Sequence, residues 1–301
     1  MADGYIALLA DRGAVSVTGT DAAKLLQGLI TNEMGQFDQA PALFAGLLSP
    51  QGKILFDFLV VKTGDGFILD VVRDRAGDLA KRLTLYKLRA DVAIADVSPS
   101  YRIFALWGGG DAPADDAVAG MLSVRDPRHE ALGFRLIADA QSGFDPATFG
   151  AREATAADYH AHRIAIGVPE GGKDYDFGDA YPHEADFDVF HGVSFTKGCF
   201  VGQEVVARMQ NKTIVRKRVV KVKGAGALQP GAEIKLGDVV IGKIGSAAGD
   251  EALALLRLDR AAEAEDKGLG LTASSLAITA DADALARYRA AAASRAASSR
   301  L

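Results

Sequence analysis

Cysteine is nearly missing from this chain: its 301 residues include one, Cys199. No disulfide can close within the sequence, which suits a reducing compartment. One thiolate also cannot grip an iron–sulfur cluster alone, because such clusters are held by several. Any cluster bound here would be shared, with ligands from a partner, a second copy or a small thiol. Long hydrophobic runs are missing too. The run LFDFLVV is short and broken by Asp57, so no membrane span is expected. Charge of one sign does not dominate. The net charge of −5 excludes a general nucleic-acid binder and confines any anion-binding surface to a local patch. The opening residues, MADGYIALLADRG, include acids and only a brief apolar stretch. They resemble neither a secretory signal nor an Arg-rich transit peptide, so a cytoplasmic protein is expected.

Apolar residues make up 49% and charged residues 24% of the sequence. That is enough to build a core, and the length suggests about two or three domains. IALLA and AVSVTG read as strands around a turn at Asp11-Arg12-Gly13. Thr20 or Asp21 can cap a helix through AAKLLQGLI. ALFAGLLS, KILFDFLVV and FILDVV form an antiparallel meander, turned at Pro50-Gln51-Gly52 and Gly64-Asp65-Gly66. Asp74 is placed to cap a helix carrying Leu79, Leu83 and Tyr86, and strands DVAIADV and YRIFALW follow. The acidic, Gly-rich stretch 108–120 reads as a loop, LGFRLIA as a strand, and 155–166 as a helix stopped by Gly167. Residues 170–182 are too polar for a core element and read as an adaptable loop. From about 214, short strands broken by Gly and Pro predict a small β-barrel. The Ala/Arg/Ser tail beyond 280 reads as a frayed helix or an unstructured end. Strand runs joined mainly by hairpins, with separate helices, indicate the α+β class.

The densest chemical signal is GVSFTKGCFVGQEVVAR, residues 192–208. Gly198 frees the backbone before Cys199. The following FVGQEVVARM reads as a helix, which would set the sulfur at a helix N-terminus where a thiolate is favoured. Lys197 adds a neighbouring positive charge, and Glu204 suits the first turns. The competing reading is a buried structural cysteine. A cysteine hydrolase would also need an imidazole, and His191 is eight residues away. Downstream, Arg208, Lys212, Arg216, Lys217, Arg218, Lys221 and Lys223 form a basic run without an acid between 205 and 223. It reads either as an anion surface, for folate carboxylates or RNA phosphate, or as a solvated edge strand. A carboxylate can accept the paired donors of a pterin edge. Glu184, in YPHEADFD, and Asp57, within an apolar strand, are candidates, with aromatic rings near Glu184 available for stacking.

KGCFVGQE in this setting resembles the signature of YgfZ-type proteins, relatives of the glycine-cleavage T-protein, an aminomethyltransferase. LLQGLITN, LLSPQGKILFDFLV, LYKLRADV, DPRHEALGFR, RIAIGVPEGGKDY and ALALLRLDRA follow in matching order, so the resemblance covers roughly residues 5–275. It implies a three-domain ring with a folate-binding cavity. The first domain would be discontinuous, 1–46 plus 140–213. An α+β domain, 47–139, would be inserted into it, and a barrel at 214–280 and a tail at 281–301 would follow. It also implies a non-catalytic, tetrahydrofolate-binding accessory factor for iron–sulfur cluster assembly or repair. Such a factor would be monomeric, meet cluster carriers or client enzymes such as tRNA-modifying ones, and make no direct RNA contact. The resemblance makes Cys199 the functional thiol, either as a ligand to a shared cluster or in thiol exchange, and matches Lys197, Gly198, Gly202, Gln203 and Glu204 to its neighbours. Glu184 and Asp57 are the folate contacts it suggests, and Arg208 of the basic run and Phe195 of the motif segment are further candidates. The alternative is a folate-dependent aminomethyl or one-carbon transferase. Against it, Phe56-Asp57 stands where the T-protein typically has two aspartates. Phe200 also replaces the tyrosine usual in the cysteine motif.

Overall fold

The computed structural model describes residues 4–109 and 120–298, so most of the loop expected at 108–120 lies outside the described residues. The chain divides into two units, Met1–Tyr159 with Asp188–Gln203, and His160–Phe187 with Glu204–Leu301. Among the described residues no helix is long and apolar enough to cross a membrane.

The first unit contains strands β1 (Tyr5–Leu8), β2 (Arg12–Thr18), β3 (Ala42–Leu48), β4 (Ile54–Lys62), β5 (Gly66–Val72), β6 (Ala93–Asp96), β7 (Tyr101–Trp107), β8 (Met121–Arg125), β9 (Phe134–Asp139) and β10 (Arg152–Glu153). They form two five-stranded sheets, ordered β3-β4-β5-β2-β6 and β10-β1-β7-β9-β8. Side chains alternate between faces along a strand, and that alternation assigns the core. Val15, Val17, Phe56, Phe58, Leu69 and Val71 face helices α1 (Ala22–Leu29) and α2 (Ala76–Lys87), meeting Leu26, Leu29, Leu79 and Leu83. Ala14, Val61 and Ile68 point the other way and pack on Ile103, Val124 and Ile137 of the second sheet. Strand β4 is therefore buried on both faces, which is why its sequence is a nearly continuous apolar run rather than an alternating one.

Between these sheets lies a group of charges that sequence reading missed. Arg12 Nε donates to Asp70 at 2.6 Å, Arg135 reaches Asp70 at 3.3 Å and Asp126 at 3.3 Å, and Arg128 pairs with Asp126 at 2.7 Å. Burial works to raise the Asp126 pKa, but the Arg128 and Arg135 guanidiniums outweigh it and hold the carboxyl at about 2.

The second unit is built on a closed barrel. Its strands are β11 (Lys217–Gly224), β12 (Glu233–Leu236), β13 (Val239–Ala248), β14 (Glu251–Arg257), β15 (Leu271–Ala273) and β16 (Leu276–Ala280). Pairing of Val222 with Ala280 and of Gly224 with Ile278 closes it. Helices α5 (Leu258–Asp266) and α6 (Ala282–Ser298) contribute Ala261, Ala264, Ala284 and Leu285 to its core.

Of the two readings of the tail, the helix holds: residues 282–298 form α6, whose first turn is tied by Ala284 N–H to Asp281 at 2.8 Å. Two local expectations need correction. Residues 170–182 do not form an adaptable surface loop. Arg163, fully buried on helix α3 (Ala156–Ile166), donates to Asp174 at 2.6 Å, to the Val168 carbonyl at 3.1 Å and to Ser246, which locks this polar stretch in place. A buried guanidinium demands such partners, so the acids that made the segment look solvated are there to satisfy it. Asp74 does not cap α2: it sits in a short 3-10 turn, and the residue before the helix is Arg75, with no side-chain cap.

Candidate functional site

Cys199 is exposed. It does not stand at a helix N-terminus, because helix α4 (Gln203–Lys212) begins four residues later. A helix dipole fades within its first turn, so that source of thiolate stabilisation does not act as the sequence suggested. The loop before α4 is instead fixed by anchors. The ammonium of Lys197 donates to three backbone carbonyls, those of Gln27 and Ile30 at 2.7 Å and of Asn32 at 2.8 Å. These are the carbonyls that the C-terminal end of α1 and its exit leave open. Lys197 also lies 5.0 Å from the Phe200 ring centroid. Its role is to pin the cysteine loop. Partial burial pulls its pKa down to about 8, although Glu33 acts in the opposite direction. Thr31 Oγ1 donates to the Gly192 carbonyl at 2.6 Å and Asn32 Nδ2 to the His191 carbonyl at 2.7 Å, fastening the start of the same loop.

Gly198 has φ outside the left-handed region and open space where a Cβ would go, so its backbone freedom is not what the fold needs there. Gly202 is the constrained position. Its φ is 82°, and a Cβ would lie 2.6 Å from the Ser49 carbonyl oxygen. Gln203 Oε1 accepts the Phe200 N–H at 3.0 Å, and Glu204 is exposed. The same segment that Lys197 grips also pairs with β3: Thr31 N–H donates to Gly46 O at 2.9 Å and Gly46 N–H to Thr31 Oγ1 at 2.8 Å. Asp57 stands opposite Gly46 in the β3–β4 ladder and is buried, not solvated. Phe195 is 44% exposed. Cys199, Lys197, Gly198, Gly202, Gln203, Phe195 and Asp57 thus all belong to the first unit.

Glu184 and Arg208 belong to the second unit, and the fold brings them together. Both line a groove of about 960 Å³ whose other polar walls include Tyr181, Lys212, Arg216, Lys217 and Arg295. Val205, Met209, Ile214 and Val215 give it apolar surface. Glu184 is held in a turn, with Oε2 accepting the Tyr181 N–H at 2.9 Å and its carbonyl accepting Val219 N–H at 2.8 Å. Its Oε1 takes no hydrogen bond among the described residues. The basic run splits in two. Arg218 pairs with Asp186 at 2.7 Å and Lys223 with Asp250 at 3.5 Å, while Arg208, Lys212 and Arg216 form no ion pair among the described residues. Arg295 had no expected role; an Ala/Arg/Ser tail gave no signal that it would reach a groove.

Two family models match the chain. The GCVT N-terminal domain covers residues 9–149, and the CAF17 C-terminal beta-barrel domain covers residues 216–288. Among solved structures, the glycine cleavage system aminomethyltransferase T from Bartonella henselae superposes with a TM-score of 0.73 at 14% identity, covering 93% of this chain and 86% of that one. The fold is thus of the glycine-cleavage T-protein type. In sequence, the mitochondrial iron-sulfur cluster assembly factor IBA57 of Homo sapiens is 34% identical over 271 residues, 81% of this chain and 75% of that protein. The IBA57 homologue of Mycosarcoma maydis is 35% identical over 228 residues, and that of Neurospora crassa 33%. The chain spans 56% and 52% of these fungal proteins, about half their length. The expected cytoplasmic location is overturned by these relatives, each of which is named as mitochondrial. A few acidic residues near one end carry no information about compartment, which is why that expectation failed.

Proposed function

Because the chain belongs to the IBA57 family of iron–sulfur cluster assembly factors, we propose that it binds a reduced folate and engages cluster carriers or client enzymes through Cys199. The observation that carries the reading is the exposed thiol on a loop pinned by the three hydrogen bonds of Lys197. An exposed sulfur on a fixed loop is accessible to a partner's cluster, and as the chain's single thiolate it would complete a shared ligand set rather than a private one. The narrower kinship to YgfZ-type proteins, with tRNA-modifying enzymes among the clients and a monomeric chain, belongs to the same proposal and rests on KGCFVGQE.

Tetrahydrofolate fits the residues of the groove in chemistry. Glu184 offers an uncommitted carboxylate oxygen to the paired donors of a pterin, Tyr181 a ring, and Arg208 a cation for the glutamate end. Asp57 and Phe195 belong to the first unit and are not among the residues that line this groove. Anaerobic transfer of a cluster from a loaded carrier to an apo-enzyme, followed by visible circular dichroism, tests the central claim. Wild-type protein should speed transfer and Cys199→Ser should not. Equal rates for the two would reject Cys199 as the working group. A second reading, folate-dependent one-carbon transfer, is favoured by the burial of Asp57. It requires methylene-folate or formaldehyde to form from a methylamine-type donor, and Asp57→Asn to abolish that product.

A further inference from the structure

The groove of the second unit holds more positive charge than one glutamate can use. Arg208, Lys212, Arg216, Lys217 and Arg295 line it, against a single lining acid, Glu184. Lys217 leans toward Asp179 at 3.9 Å, and Arg295 donates to the Gln210 carbonyl at 3.4 Å. The Asp259 carboxyl is held low chiefly by its hydrogen bond from Arg257, and the charge of Arg216 adds a smaller pull without forming an ion pair. Arg208 and Lys212 are one helical turn apart on α4 and share a face. Arg216 carries the row past the helix end. The result is a file of cations leading away from Arg208, the residue proposed above for the folate's own glutamate.

We propose that this file seats an oligo-γ-glutamate tail, and that Lys212, Arg216 and Arg295 make the protein prefer folates with longer tails. The inference rests on the folate reading. A folate with one glutamate brings a pair of carboxylates, and each γ-linked residue added brings one more, spaced by methylenes. That alternation matches a groove whose cations are interleaved with Met209, Ile214 and Val215. A single-stranded nucleic acid would be matched differently: it needs several aromatic platforms along its path, and Tyr181 is the one ring in the lining. Exposed charge pairs each contribute little, so the selectivity comes from adding several, and salt weakens it.

The test is anaerobic calorimetry on the whole chain with monoglutamyl and tetraglutamyl tetrahydrofolate at low ionic strength. The tetraglutamyl form should bind about tenfold tighter. Lys212→Ser combined with Arg216→Ser should remove that advantage and leave the monoglutamyl affinity unchanged. Both side chains are exposed, so a melting curve matching wild type is expected for the variant. Equal affinities of the two folates for wild type would overturn the inference while leaving folate binding intact. An advantage that survives the double substitution would also overturn it, by moving the tail elsewhere. If neither folate binds, the folate reading falls and this inference falls with it. Displacement of tetraglutamyl folate by a short RNA at lower concentration would reassign the groove to nucleic acid.

Discussion

Lys197 in the first unit and the cations of the second unit's groove use positive charge in opposite ways. Every proton of the Lys197 ammonium is engaged by a backbone carbonyl, whereas Arg208, Lys212 and Arg216 face open space with no acid paired to them. In sequence, Lys197, two residues from the only cysteine, reads as part of the chemistry, while the basic run leaves an anion surface and a solvated edge strand both open. The difference teaches that a cation's meaning lies in what surrounds its tip. An engaged tip holds structure, and a free tip at low structural cost is available to a ligand.

Substitutions at Arg163, Gly202, Lys197 and Arg208 test that division, the first having the largest expected effect. Arg163 is the extreme of an engaged cation, and Arg163→Leu should destabilise the second unit by about 3–5 kcal/mol, because it strands buried Asp174. Urea titration measures this, and a loss under about 1 kcal/mol would mean that the network relaxes freely. Gly202→Ala should cost about 2 kcal/mol or more, since a positive φ and a backbone oxygen at 2.6 Å leave its Cβ no room. The check is a lowered melting temperature that Gly198→Ala does not share.

Lys197→Met should cost about 1–2 kcal/mol and speed amide exchange across residues 194–200. Lys197→Arg should not restore the loop, because a planar fork cannot serve three carbonyls converging on one point. The pH dependence has a definite sign. The folded pKa of Lys197 is about 8, below the usual 10.5. Holding the charged form therefore lowers stability below pH 8, and that penalty is relieved as pH rises from about 8 to 10.5. Wild-type protection of the loop relative to Lys197→Met should therefore grow as pH rises from about 8 toward 10.5, as ratios of exchange rates at matched pH would reveal. The smallest structural effect belongs to Arg208→Ser, within about 0.5 kcal/mol of wild-type stability, yet it should weaken tetrahydrofolate binding. If it unfolds the protein instead, the free cations of the groove are structural after all.

Most of the fold could be read from patterning. The β2–β5 meander, α1, α2, the helix after Thr155 and the closing barrel all follow from periodicity and turn residues, because local geometry dictates them. What could not be read depends on long-range pairing. Arg163 and the acids at 170 and 174 look like solvated charge until the fold buries them. The start of α4 was placed too early because FVGQEVVARM is apolar and periodic, while the conformation at Gly202 delays the helix to Gln203. The cysteine motif itself was legible from its resemblance. Its anchor was not, because the carbonyls that Lys197 meets lie more than 160 residues earlier in the chain.

Strand β3 is the outermost strand of its sheet, yet all seven of its residues are buried. Its rim is stoppered by residues 30–32, through Thr31 on Gly46, Asn32 on the Phe44 carbonyl and the bridge from Ile30 to Leu47. Because the cysteine loop clamps that stopper, loosening the loop would unmask an apolar strand rim that invites copies of the chain to zip together. The loop that displays the thiol therefore also acts as a guard against self-association, and light scattering on a loop-weakened variant should reveal growing particles while its secondary structure is still intact.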